Sequence, residues 1–173
     1  CGYESTSAQD LVNATGLTRS SLYNAYENKR GLFEQALQRY KLRTREYAGQ
    51  LDQADDKQQA IRALLLDVIE TDLSDPDKRG CFITNTAIEL SGRDELAVQA
   101  VRQNFRLLQE ALARNIKAGQ TNGEIKSPAD ADILANCILT TLQGLRVLAK
   151  TTPAEQKSML IEMVDTSLSA LLG

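Results

Sequence analysis

Apolar residues recur every three or four positions along most of this chain, and the recurrence is broken at a few glycine, proline or capping residues. Leu11 and Val12 are in phase with Leu22 and Ala25 across Gly16. Ile61, Leu64, Leu65, Val68 and Ile69 form a second stripe that ends near Asp75-Pro76, and Val101, Phe105, Leu108, Leu112 and Ile116 form a third. With little alternation of period two, the pattern predicts an all-α protein. Helices are expected from Thr6 or Ser7 to about Ala14, from Arg19 onward, from Asn28 to about Tyr47, from Cys81 to Leu90, and from Asp94 to Ala118 with Gly119 closing the last. Asn122-Gly123 marks a turn. Ser127-Pro128-Ala129-Asp130 and Thr152-Pro153-Ala154-Glu155 each offer a cap, a first-turn proline and an acid at the third position, so each is expected to open one of the last two helices.

Those last two helices carry more apolar positions than one buried face needs. Ile133, Leu134, Cys137, Ile138, Leu142, Leu145 and Leu148 are followed by Met159, Leu160, Met163, Val164, Leu168, Leu171 and Leu172. A helix apolar on more than one side buries a second surface, either deeper in its own core or against another chain.

The stretch from Ser5 to Phe33 is the most informative for chemistry. Thr6 and Ser7 can cap a helix with Gln9 or Asp10 returning the bond, and Gly16 permits the backbone that ends it. Leu17 fills the corner, and Thr18 caps a second helix opening at Arg19. This is helix-turn-helix spacing, although a pair of short core helices would share it. With Leu22 and Ala25 turned inward, Arg19, Ser20, Ser21, Tyr23 and Asn24 face outward, a set of donors and acceptors suited to base edges and phosphates.

Gly2-Tyr3, Thr6-Ser7, Asp10-Leu11-Val12, Thr15-Gly16-Leu17, Leu22-Tyr23, Tyr26, Lys29 and Leu32-Phe33, taken together at their spacing, resemble the DNA-binding domain of the tetracycline-repressor (TetR) family over residues 2 to about 40. The resemblance implies that Ser7 and Gln9 meet the DNA backbone or a base, that Arg19, Ser20 and Asn24 read the major groove, and that Tyr23 and Lys29 hold phosphates. It implies a helix ahead of Gly2-Tyr3, whereas the sequence starts at Cys1. It divides the chain into a DNA-binding head over residues 1–47 and an effector-binding and dimerisation body over residues 48–173. The implied protein is a ligand-responsive regulator, a repressor by family habit, that binds a palindromic operator in double-stranded DNA as a homodimer. Its dimer seam would be a four-helix bundle using Ile138, Leu142, Gly144, Leu145, Leu160, Met163, Val164 and Leu168. Its small-molecule effector would lie against Leu65, Val68, Phe82, Thr86, Phe105, Leu108 and Cys137, oriented by Asn85 and Glu89. Each of these residues serves equally well as plain core or as an ordinary capping group.

Composition and charge narrow the reading further. Residues 1–50 hold seven Lys and Arg against five Asp and Glu, and the remainder holds 13 against 18, so a faintly positive head is followed by an acidic body. Arg39, Lys41, Arg43 and Arg45 fit a solvated helix face, with phosphate contact as the second possibility. The three cysteines lack metal-site spacing and the chain has no histidine, so no metal, cofactor or catalytic constellation is expected. No run reaches the length of a membrane span, and the expected location is the bacterial cytosol. Cys81 follows Lys78-Arg79-Gly80 at a helix start, where cations and the helix terminus favour thiolate; it is a candidate redox or electrophile sensor, or else a small buried hydrophobe. Arg79-Gly80-Cys81-Phe82, with Asn85, Ala87 and Glu89 behind it, is similar to a TetR subgroup that responds to electrophiles. A helical scaffold or small-molecule binder with an unused head is the alternative function.

Overall fold

The computed structural model describes residues 2–173, and among these there are helices and no strand. They run α1 (Ala8–Thr15), α2 (Arg19–Tyr26), α3 (Lys29–Gln53), α4 (Lys57–Ser74), α5 (Phe82–Leu90), α6 (Glu95–Asn122), α7 (Ala131–Ala149) and α8 (Lys157–Leu172), with a short 3-10 turn at Ala154–Gln156 before α8. Two compact units form. One takes the chain up to Arg43 together with Phe82–Gln103, and the other takes Thr44–Cys81 together with Asn104–Gly173.

In the second unit, α4, α7 and α8 pack on one another around Ile61, Leu65, Ile69, Ile138, Leu142, Leu160 and Val164, all essentially without solvent contact. Burial of that kind stabilises by about 25 cal/mol per Å² of apolar surface, which makes this cluster the main source of the unit's stability. One charged pair sits within it. Arg146 Nε and Nη2 donate to Asp72 at 2.9 and 3.0 Å, and both side chains are nearly buried.

Several helix ends depart from local sequence signals, each because a distant group intervenes. α3 continues past Tyr47 to Gln53, since Ala48 and Leu51 are buried and Asn115 Nδ2 donates to the Leu51 carbonyl at 2.8 Å. Gly119 lies inside α6 rather than at its end. A Cβ there would press on the Ile125 side chain at 2.7 Å and on Lys57 Cβ at 3.1 Å, so the glycine serves close packing, and Gly123, at φ +82°, follows the true terminus. α7 is capped by Asp130, whose carboxylate accepts from the Asp132 and Ile133 amides, and not by Ser127, whose own N–H donates to the Leu172 carbonyl. The Thr152 hydroxyl donates back to Leu148 O at 2.8 Å, closing α7 instead of opening α8. No helix among the described residues is long and apolar enough to cross a membrane.

Candidate nucleic-acid interface

The head's two short helices are built almost entirely by local polar contacts. Ser7 Oγ accepts from the Asp10 amide at 3.1 Å while the Asp10 carboxylate accepts from Ser7 N at 2.8 Å, a reciprocal capping box that opens α1 and holds the Asp10 carboxyl below its usual range. Gly16, at φ +69°, ends α1 with its N–H on the Val12 carbonyl, and Thr18 Oγ1 accepts from the Ser21 amide to open α2. Leu22 is fully buried, and Arg19, Ser20, Ser21 and Asn24 are exposed with Tyr23 half-buried. The two amide side chains of Gln9 and Asn13 pair on the exposed face of α1 at 2.9 Å.

The outward side chains differ in what they have left to offer. Ser7 spends its hydroxyl on Asp10, and the Ser20 and Ser21 hydroxyls both lie within hydrogen-bond distance of Thr18 Oγ1. Lys29 donates to the Glu4 carbonyl at 3.2 Å and stands 4.6 Å from the Tyr3 ring centroid, so it ties the start of the chain to α3 with two N–H donors to spare. Arg19 makes no hydrogen bond or ion pair among the described residues; its guanidinium sits 5.8 Å from the Tyr23 ring centroid.

The corner between α2 and α3 is tight. Glu27 adopts φ +61° and the Asn28 amide reaches Tyr26 O at 2.6 Å, a reverse turn that costs a non-glycine residue about 1–3 kcal/mol. Gly31 faces the Tyr26 carbonyl so closely that a Cβ there would collide with it. Sequence patterning carried no sign of this elbow beyond the Gly31 position itself.

A second set of contacts within this unit comes from residues remote in sequence. The Glu89 carboxylate, on α5, accepts from the Tyr3 and Glu4 amides at 2.7 Å each and closes over Gly2. Arg30 donates to Asp94 through Nη1 and Nη2 and to Glu34 through Nε at 2.6 Å; its hydrogen bonds hold the Asp94 carboxyl below the usual carboxylate range. Tyr3 packs on Phe33, Phe33 on Phe82 edge-on at 5.7 Å, and Tyr40 on Phe82 at 5.9 Å. Short-range signals do not reveal partners more than 60 residues apart.

Two profiles match this chain: one described as "Bacterial regulatory proteins, tetR family" over residues 1–36, and one described as "Tetracyclin repressor-like, C-terminal domain" over residues 57–160. The chain belongs to the TetR family. It is a DNA-binding transcriptional regulator of that family with an all-helical fold. An uncharacterized HTH-type transcriptional regulator of Bacillus subtilis, YezE, is 33% identical to it over 173 residues, covering 98% of this chain and 88% of that one. The HTH-type transcriptional repressor ComR of Escherichia coli is 27% identical, over 92% of this chain and 77% of that one. Among solved structures, the TetR regulator CifR, as a triple cysteine mutant complexed with 26-base-pair operator DNA, is 27% identical with a TM-score of 0.83, covering 98% of this chain and 88% of that one.

The residues expected to line a TetR effector pocket fall in both units. Leu65, Val68 and Leu108 are buried in the second unit and Phe105 is half-buried there, while Cys137 points to solvent and does not line a core. In the first unit Thr86 is buried, Asn85 is half-buried, Phe82 stands in the aromatic stack, and Glu89 is committed to the two backbone amides. An open groove beside the end of α6 and the start of α7, lined by Arg114, Lys117, Gln120, Asp130 and Asp132, contains none of them.

The expected dimer seam also needs correcting. Ile138, Leu142, Leu145, Leu160, Val164 and Leu168 all face the chain's own core, because α4 lies against α7 and α8 and takes that side of both helices. Only Gly144 and Met163 of the expected set are outside, and they belong with Ile133, Val147, Leu148 and Met159, large apolar side chains left exposed on α7 and α8. A Cβ at Gly144 would meet nothing within 4 Å.

Cys81 is 5% exposed and immediately precedes α5. Its neighbouring cations are engaged elsewhere: Arg79 pairs with Asp75 at 3.0 Å and brings that carboxyl down to about 2, and Lys78 Nζ donates to the Leu73 carbonyl at 3.1 Å. Both cations thus also hold the end of α4, and the Lys150 side chain lies against Gly80.

Proposed function

We propose that this regulator is a homodimeric repressor that occupies a palindromic operator and is released when a small-molecule effector or an electrophile acts on its body. The observation that carries the reading is the outward row of α2, where Arg19, Tyr23 and Asn24 extend from a helix whose opposite face is anchored by Leu22. Such a helix enters the major groove with its first residues against base edges, and Arg19 grips a guanine through two parallel N–H donors. Tyr23 Oη and the remaining donors of Lys29 hold phosphates, Ser7 and Gln9 meet the backbone or a base, and Ser20, Ser21 and Asn24 present their polar groups beside Arg19 on the outward face of α2. Two such helices related by a two-fold axis read half-sites one helical turn apart or somewhat more. CifR bound to operator DNA is a relative consistent with this assignment. The effector acts by favouring a conformation whose DNA affinity is lower, a coupling of about 1–3 kcal/mol in regulators of this type. The protein works in the bacterial cytosol and carries out no catalysis.

The second protomer is assigned to the outer stripe of α7 and α8, Ile133, Gly144, Val147, Met159 and Met163, which is left exposed in the single chain. Light scattering of Ile133→Glu/Val147→Glu should then report a monomer where the wild type is a dimer, and Cys137, exposed in the chain, should resist alkylation until dilution separates the dimer.

Fluorescence polarisation of the full-length protein on its upstream DNA tests the central claim. Arg19→Ala and Tyr23→Ala are expected to weaken binding well below wild type, and equal binding by all three proteins would favour the scaffold reading. For the electrophile branch, alkylation should release the operator in wild type but not in Cys81→Ser; equal release excludes Cys81.

A further inference from the structure

Tyr23 stands one helical turn beyond Arg19, and the guanidinium carbon lies over its ring, 5.8 Å from the centroid. We infer that the Tyr23 ring is a positioning residue for base reading: its π face attracts the Arg19 cation and narrows the space the guanidinium samples, leaving its N–H donors free for a guanine. This rests on the proposed reading of α2 and adds what sets its specificity. The two contacts use different parts of one group. Attraction of a guanidinium to the π face of an aromatic ring uses none of its N–H donors, which stay available to the O6 and N7 acceptors of a guanine. The tyrosine is divisible in the same way, since the hydroxyl at the far end of the ring remains available to a phosphate.

The surroundings make Arg19 dependent on this support. Its neighbours Ser20 and Ser21 are drawn back onto Thr18 Oγ1, at 3.1 and 2.9 Å, so neither hydroxyl braces the guanidinium. Nor, among the described residues, does Arg19 have a carboxylate partner of the kind that holds Arg30, Arg62, Arg114 or Arg146. An exposed arginine without partners samples many rotamers, and each one excluded before binding lowers the ordering cost at the groove. The ring thus affects discrimination between bases, while the hydroxyl affects affinity for any duplex.

The test uses the full-length protein and an operator obtained by selection from random DNA, with each half-site guanine exchanged in turn for adenine. The readout is the ratio of dissociation constants for native and exchanged duplexes. Arg19→Ala should erase the ratio at one position, normally roughly five- to a hundred-fold. Tyr23→Phe should keep that ratio while weakening both duplexes alike, and Tyr23→Leu should lower affinity and also shrink the ratio roughly two- to five-fold. If Tyr23→Leu binds too weakly at physiological salt, both duplexes are titrated at about 50 mM salt, where phosphate contacts are strongest. A wild-type ratio in Tyr23→Leu beside an erased one in Arg19→Ala overturns the positioning role alone, as does a ratio equally reduced in Tyr23→Phe. Ratios untouched by Arg19→Ala overturn the base-reading assignment itself.

Discussion

α1 buries no residue and α2 buries only Leu22, whereas α4 and α7 bury six residues each and α8 four. The reading head is therefore a surface shaped by caps and backbone turns, and the body is a conventional apolar core. The difference teaches where function and stability reside. Polar groups in the head stay exposed because burial supplies little there, and apolar groups in the body are consumed by packing.

Substitutions that disturb only one region give the sharpest test of that contrast. The largest effect is expected at the buried pair of the body. Asp72→Leu leaves the Arg146 charge nearly buried without its partner and should cost about 3–5 kcal/mol in urea unfolding, while Asp72→Leu/Arg146→Met should recover most of that loss. Discrimination between operator sequences should remain at the wild-type level in any folded fraction. Arg19→Ala reverses the pattern: unfolding free energy within about 0.5 kcal/mol of wild type, since the side chain is exposed and its one contact among the described residues is the Tyr23 ring, together with about 1–3 kcal/mol of lost base discrimination. A protein destabilised by Arg19→Ala as strongly as by Asp72→Leu would remove the distinction between the regions.

Smaller effects refine it. Glu89→Gln keeps the side chain's shape but cannot accept from both amides through charged oxygens, so about 1.5–3 kcal/mol of local anchoring should be lost. Hydrogen exchange at Tyr3 and Glu4 should accelerate and operator affinity should fall evenly across sequences. Unchanged exchange would mean that the clasp does not restrain the head. The smallest effect concerns Asp75, whose folded-state carboxyl is lowered to about 2, first by its hydrogen bond from Arg79. A lowered carboxylate contributes stability above its unfolded value near 4, and that contribution disappears as pH falls through about 2. Carboxyl NMR should show Asp75 titrating below the unfolded value in wild type and close to it in Arg79→Ala.

Most of the head was legible from sequence because its determinants are neighbours. Ser7 with Asp10, Gly16, and Thr18 with Ser21 are pairs within three or four residues, or single backbone requirements, and each forms as the local pattern implies. Periodicity likewise located the stripes of α4, α6 and α7. It did not reveal which apolar side of α7 and α8 would turn inward, since both sides carry large apolar residues, and it misread Gly119, Ser127 and Thr152, whose roles depend on Ile125, Leu172 and Leu148.

Alone, then, the amino-acid order determined the helical class, the helix-turn-helix with its outward arginine, and the family, since these follow from hydrogen bonds and periodicities that close within a turn or two of chain. Tertiary structure decided that Ile138 and Leu142 are core, that Ile133 and Val147 are left outside, and that Glu89 holds Tyr3 and Glu4 rather than waiting for a ligand. The physical reason is that a side chain's partner across 60 or 80 residues depends on how helices pack, and that geometry is set by the whole core rather than by any segment within it.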